Sequence, residues 1–328
     1  MTATVSKAPT LTSQLVNGLL AIKPLANLAK HQARTMMIKR AETIGVYWRE
    51  EVKHLRSRGG SEEFSADWDA ELAQVQTPGL VYPDYYLRPF HAYEEGNLGW
   101  EPAMEVEVAA HAVHARVWKD GGAEGDSRLR QSYHEVLQAQ LPEAPREIVD
   151  LGCSVGMSTF ALQAIFPNAQ LIGVDLSPYF LAIAHYRATR IPETPLTPYS
   201  PMPSKQSPLP LWKHSAAEAT GLPEQSADLV SAHLLFHELP RTAATEILRE
   251  ARRILRPNGH VAIMDMNPKS EIYAKMPPYI LTLLKSTEPY LDDYFTFDLE
   301  QAIYEAGFQR PTVTRNSPRH RTLVAQVR

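Results

Sequence analysis

The sequence predicts a doubly wound, mostly parallel α/β sheet preceded by a helical region. Three observations carry that prediction. From Pro142 onward short apolar strands alternate with helical stretches, the rhythm of a parallel sheet covered on both faces. The first of these strands runs into Gly152-x-x-x-Gly156, and the second ends on Asp175. Before Pro142 the apolar residues recur at helical spacing, without the alternating blocks of strands.

Taken in order, Leu11, Leu15, Leu19 and Ile22 repeat with the period of a helix, as do Ile44, Trp48, Val52 and Leu55. Arg58-Gly59-Gly60-Ser61 supplies the glycine that favours a helix end. Residues 77–100 differ in kind: Tyr82, Tyr85, Tyr86, Phe90, His91, Tyr93 and Trp100 stand among Gly79, Pro83, Pro89 and Gly96 in an irregular stretch. Helices are expected over 104–118 and 127–140. Strands follow at 147–150, 170–175, 228–233 and 260–266, with helices after the first three of them at 157–166, 178–190 and 241–255. A last helix at 298–306 precedes two strand-like pieces, 309–314 and 321–326. Residues 191–210 hold seven prolines and few core-forming residues, and read as a Pro-rich insertion, either a solvated loop or a flap near the site. The organisation expected is a helical N-terminal cap over 1–141 and a ligand-binding sheet domain over 142–328.

A chain of 328 residues with 44% hydrophobic and 21% charged residues has the apolar content for a full core. Its net charge of −4 argues against a nucleic-acid partner. Cys153 is the single cysteine, so there is no internal disulfide and no zinc cluster built on several thiolates. His111 and His114 lie three apart on a helix but lack an evident third ligand, and no metal is expected. No apolar run is long enough to cross a bilayer, and a cytoplasmic location is the default reading. Lys7, Lys23, Lys30, Arg34, Lys39 and Arg40 all precede the first acidic residue, Glu42. That bias reads as the solvated face of a helix packed on its own domain; the alternatives are a transit peptide or peripheral contact of residues 1–40 with an anionic membrane.

Glycine at 152 and 156 lets backbone approach a ligand where a β-carbon would clash, and the amides at the helix start can meet polar ligand groups. Asp175, 19 residues beyond Gly156, stands at a strand end facing the same crevice, where a carboxylate can accept hydrogen bonds from ribose hydroxyls. The plain alternative is that the glycines only make a tight turn. A dinucleotide dehydrogenase would want glycine at position 154, which is serine here.

The run Val149-Asp150-Leu151-Gly152-Cys153-Ser154-Val155-Gly156 resembles the first motif of class I S-adenosylmethionine-dependent methyltransferases. The likeness continues through Gly173-Val174-Asp175-Leu176-Ser177, through Leu222-Pro223 with Ser226-Ala227-Asp228-Leu229-Val230, and through Glu250 to Gly259. It covers about residues 145–328 and is nearest to enzymes that methylate small molecules such as quinones, sterols and related natural products. The resemblance implies a seven-stranded Rossmann-like sheet and S-adenosyl-L-methionine as cofactor, with S-adenosyl-L-homocysteine as product. It places Gly152, Ser154 and Gly156, with Asp150 and Cys153 of the same motif, along the methionine part, Asp175 on the ribose and Leu176 on the adenine. His233 falls beside the methionine end. The slot where many relatives carry an acidic contact to the adenine amino group is Ala216 here, which leaves Ala217 backbone or Glu218 to serve.

Methyl transfer from a sulfonium depends on placing nucleophile and methyl carbon, and a base matters only where the acceptor loses a proton. His237, beyond the fourth strand, reads as a general base or acceptor-orienting donor, or else as a cap or pocket wall without proton transfer. Tyr86, His91, Tyr93 and Trp100 are the candidate acceptor pocket, and equally a glue between the helical region and the sheet. The function expected is methyl transfer to oxygen or carbon of a small aromatic or lipid-like acceptor. The alternatives are a non-catalytic cofactor-binding scaffold and a membrane-associated quinone or fatty-acyl methyltransferase.

Overall fold

The computed structural model describes residues 23–91, 93–190 and 200–328. The helical repeat at 11–22 and the first part of the Pro-rich insertion lie outside the described residues. Among the described residues four helices come first: α1 (Lys23–Thr43), α2 (Trp48–Ser57), α3 (Asp67–Val75) and α4 (Trp100–His114). Ile38 and Ala41 of α1 are buried with Trp48, Val108 and Ala112. Arg34 pairs with Glu101 at 3.1 Å and with Glu105, both on α4. Arg34 of the basic N-terminal stretch is thus held by the protein's own helix α4. No described helix is long and apolar enough to cross a membrane.

Helix α5 (Gly125–Gln140) leads into the sheet. Its strands are β1 (Glu147–Leu151), β2 (Gln170–Asp175), β3 (Leu211–His214), β4 (Ala227–His233), β5 (Leu255–Met266), β6 (Thr312–Thr314) and β7 (His320–Gln326), in the order β3-β2-β1-β4-β5-β7-β6. The first five are parallel; β7 runs antiparallel to β5 and β6. Helices α6 (Met157–Ile165), α7 (Pro178–Thr189) and α8 (Arg241–Ile254) are the crossovers. One face of the sheet is covered by α8 through Ala244, Ile247 and Ile254; the other by α5 and α6 through Leu129, Tyr133, Leu137 and Leu162. Strands buried on both faces account for the near-continuous apolar runs in the sequence.

Several elements differ from the sequence expectation. β3 was not expected, because it is four residues long, follows a run of prolines and leaves Leu211 exposed. Helix α3 was not expected either. β5 begins five residues before the expected strand, since Leu255 already pairs with Ala227 and pairing resumes at His260 with Leu229. The cap of α2 in left-handed conformation is Arg58 itself, at φ +53°, ahead of the glycine. Between β5 and β6 the chain forms α9 (Glu271–Ala274), α10 (Pro278–Thr287), α11 (Leu291–Thr296) and α12 (Leu299–Glu305), of which only α12 was expected.

Candidate active site

β1 delivers Asp150 and Leu151 to the carboxyl end of the sheet, and the chain then turns through Gly152 at φ +67°, Ser154 at +50° and Gly156 at +85° before α6 begins. Three residues in the left-handed region across five positions expose backbone amides at a helix start. Asp150 is fully buried, and its Oδ2 accepts from Ser158 Oγ at 2.6 Å and Thr159 Oγ1 at 2.7 Å. Burial raises its pKa to about 6 against the pull of those two hydroxyls.

Asp175 ends β2. Its Oδ2 accepts from the Ser154 amide and its Oδ1 from the Ser177 amide, both at 2.8 Å. The carboxylate is therefore held between the glycine turn and the start of α7, where Ser177 caps the helix by accepting from Phe180 N. Burial raises the Asp175 pKa to about 6, with the two amides acting in the opposite sense. Leu176 is buried and its carbonyl accepts from His214 Nε2 at 3.0 Å.

Three buried polar atoms around this turn have no hydrogen-bond partner: Asp150 Oδ1, Ser154 Oγ and His233 Nε2. A buried acceptor or donor left unmatched is costly, and atoms of this kind on two strand ends and the turn between them fit a polar ligand. S-Adenosylmethionine has the ammonium, carboxylate and ribose hydroxyls to satisfy such a set, so the residues present fit it. Cys153 faces the other way. Its thiol is buried beside Leu181 and Ala182, burial holds it well above its ordinary pKa, and a β-carbon on Gly173 would lie 2.8 Å from its Sγ. Only its backbone is left for a ligand. Above Gly152 lies Leu235, whose Cδ1 would be 2.7 Å from an added β-carbon.

His233 is the last residue of β4, buried against the Tyr133 ring at 5.8 Å. Burial first, then nearby Arg130, pushes its pKa well down, so it is neutral. Arg130, which the sequence reading passed over, is bound to Asp126 at 2.9 Å and reaches Met157 Sδ at the head of α6. Glu218, beyond β3, accepts from Tyr85 at 2.8 and 3.0 Å, and the neighbouring Ala217 packs on the sheet core.

A single turn of 3-10 helix, Phe236–Glu238, follows β4. His237 Nδ1 lies 2.8 Å from Asp265 Oδ1, and the same carboxylate accepts from the His237 amide at 3.2 Å. Burial opposes charge on this imidazole, but Asp265, Glu238 and Glu288 outweigh it and raise its pKa to about 10. At neutral pH His237 is an imidazolium, placed to donate. Asp265 carries a signal the sequence reading missed: it stands at the carboxyl end of β5, as Asp175 does on β2.

Residues 77–91 and 93–100 form a strap over this end of the sheet. The Thr77 amide donates to His214 Nδ1 at 2.9 Å, Tyr82 reaches His214 Nε2, and Ser177 Oγ donates to the Asn97 carbonyl at 2.6 Å. Tyr86 feels both Asp175 and Glu238, and burial with those charges holds its phenol well above its usual pKa. His91 Nε2 is 3.1 Å from Glu288 Oε1. Tyr93 and Trp100 point elsewhere. Tyr93 donates to Glu105 at 2.6 Å, and Trp100 packs on Trp68, Phe64 and Tyr179. The structure therefore sets Tyr86 and His91 near the 3-10 turn, Tyr93 on Glu105 of α4, and Trp100 in the contact between α4 and α7.

Sheet order, glycine turn and strand-end aspartate together define a Rossmann-like domain of the class I S-adenosylmethionine-dependent methyltransferase type. In agreement, residues 149–263 match the family model described as a methyltransferase domain. Over 138 residues it is 34% identical to the trans-aconitate 2-methyltransferase of Methylobacterium radiotolerans, covering 42% of this chain and 44% of that protein. Over 117 residues it is 29% identical to the malonyl-[acyl-carrier protein] O-methyltransferase of Hahella chejuensis, covering 36% and 35%. The chain thus spans less than half the length of these curated relatives. Among solved structures, a putative O-methyltransferase from Nostoc punctiforme superposes with a TM-score of 0.51 at 17% identity, over 86% of this chain and 73% of that one, a likeness of fold.

Proposed function

We propose that the protein transfers a methyl group from S-adenosylmethionine to a small-molecule acceptor held beneath the strap. The observation that carries this reading is Asp175, fixed by the Ser154 and Ser177 amides beside a turn whose buried polar atoms lack partners. In this reading Asp175 holds the ribose, Leu176 and the Ala217–Glu218 stretch border the adenine, and Asp150, Gly152, the Cys153 backbone, Ser154, Gly156 and His233 surround the methionine part. The cofactor supplies an electrophilic methyl carbon on a sulfonium. The protein's work is then placement: Tyr86 and His91 close the acceptor side, Leu235 walls the turn, and water is kept from the transfer.

The named relatives act on a tricarboxylate or a carrier-bound malonyl group, and those substrates belong to them. The test here is detection of S-adenosylhomocysteine release across an acceptor panel. Turnover of a small molecule supports the reading. Tight cofactor binding with no release from any acceptor would favour the non-catalytic scaffold instead.

A further inference from the structure

Beyond β4, side chains from four parts of the chain converge: His91 and Tyr86 from the strap, His237 and Glu238 from the 3-10 turn, Asp265 from β5, and Glu288 just after α10. The two imidazoles each have a carboxylate. His237 is bound by Asp265 at 2.8 Å, and His91 by Glu288 at 3.1 Å. The third carboxylate, Glu238, is half-buried, and no hydrogen bond among the described residues ends on its carboxyl group. It nevertheless lies within electrostatic reach of His91, His237, Glu288 and Asp265. Tyr86 feels the charges of both Glu238 and Asp175. Three residues earlier on the same loop, Leu235 touches Gly152 of the cofactor turn.

We propose that Glu238, rather than His237, takes the proton from the acceptor, and that this cluster selects an uncharged hydroxyl compound of phenol or enol type over a polycarboxylate. The proposal rests on the methyltransferase reading. As the acceptor oxygen forms its bond to the methyl carbon, its O–H proton passes to the Glu238 carboxylate, and the electron pair of the breaking carbon–sulfur bond stays on sulfur. His237, whose Nδ1 is tied to Asp265, donates from its other ring nitrogen to the acceptor oxygen, while His91 stays paired with Glu288 through Nε2. The charge count decides the substrate class. The cluster gathers three carboxylates, Asp265, Glu238 and Glu288, so a di- or tricarboxylate would meet their negative charge.

The surroundings of Glu238 suit a base at neutral pH. Burial raises its pKa to about 7; His91 and His237 pull it down, while Glu288 and Asp265 push it up. The carboxylate is the active form, so turnover rises with pH through about 7. If His237 were the base, it would instead rise toward 10.

Three measurements on the full chain test this. In a carboxyl-carbon NMR titration, the resonance missing from Glu238→Gln is expected to titrate near neutrality; a midpoint below 5 would overturn the proposal. With an acceptor panel that sets neutral phenols and enols against di- and tricarboxylates, phenols or enols are expected to be methylated. Turnover of the carboxylates alone, or of neither class, overturns the selectivity. For an accepted phenol, Glu238→Gln is expected to lower turnover at least 100-fold and to abolish the limb near pH 7, with calorimetric affinity for S-adenosylhomocysteine unchanged. His237→Asn keeps a limb, moved to higher pH because the imidazolium no longer pulls Glu238 down; a profile with no such limb in this variant, or survival of the limb in Glu238→Gln, overturns the assignment to Glu238. Failure of wild-type protein to bind S-adenosylhomocysteine removes the methyltransferase reading itself, an outcome distinct from the others.

Discussion

Tyr85 donates its phenolic hydrogen to Glu218, whose two carboxylate oxygens lie 2.8 and 3.0 Å away, and this bond ties the strap to the loop after β3. Burial and the neighbouring carboxylate both push the tyrosine away from ionising, so it stays a donor across the physiological range. The bond crosses 133 residues of sequence, from the helical region to the sheet. Tyr85→Phe is expected to destabilise the protein by about 1–2 kcal/mol, read by urea denaturation. It is also expected to weaken cofactor binding several-fold, because Glu218 is freed beside the proposed adenine site.

A second tie between the helical region and the sheet is the ion pair of Arg187 on α7 with Glu107 on α4, at 2.9 Å, both side chains at most 4% exposed. Removing one partner leaves the other charge buried and unmatched. Glu107→Ala is therefore expected to cost about 3–5 kcal/mol, measured by chemical denaturation. Glu107→Gln, which keeps the shape and one acceptor, is expected to cost less.

Gly156 has φ +85°, and a β-carbon there would lie 2.9 Å from Phe160 Cε2 and 3.0 Å from Trp212 Cη2. Left-handed backbone alone costs a residue with a β-carbon about 1–2 kcal/mol. Gly156→Ala is expected to exceed that in denaturation experiments, since two aromatic rings must also shift, and to reduce cofactor affinity at least tenfold. Gly152→Ala meets only the end of a leucine side chain and is expected to be milder in stability.

Below pH 6.5 the protein is expected to lose stability through His134. Burial and then Arg130 lower its folded pKa to about 4, whereas the unfolded imidazole titrates near 6.5. The unfolded state therefore binds the proton first as pH falls. Stability is intact above about 6.5 and declines between there and 4, by up to about 3 kcal/mol. Denaturation midpoints across this range check it, and His134→Gln is expected to flatten the slope.

What could be read from the chain was whatever its signals state locally. The glycine turn and Asp175 sit within one strand–helix–strand unit, and β1, β2, β4 and β7 are apolar enough to declare themselves. Pairings between distant elements were not readable. Asp265 and His237 are 28 positions apart, and Tyr85 and Glu218 far more, so the meaning of each depends on how the strands are ordered. Likewise Tyr82, Tyr86, Tyr93 and Trp100 look alike in sequence. Only the path of the strap separates Tyr86 and His91, which meet the 3-10 turn, from Tyr93 and Trp100, which meet α4 and α7. β3 escaped notice because a four-residue edge strand after prolines carries little apolar periodicity.

The most direct test of the account is isothermal titration of S-adenosylhomocysteine into wild-type protein and into Asp175→Ala. Micromolar binding by the wild type, weakened at least 30-fold in the variant with the melting temperature largely kept, is the result predicted. Equal affinity in the two proteins, or no heat from either, would contradict it.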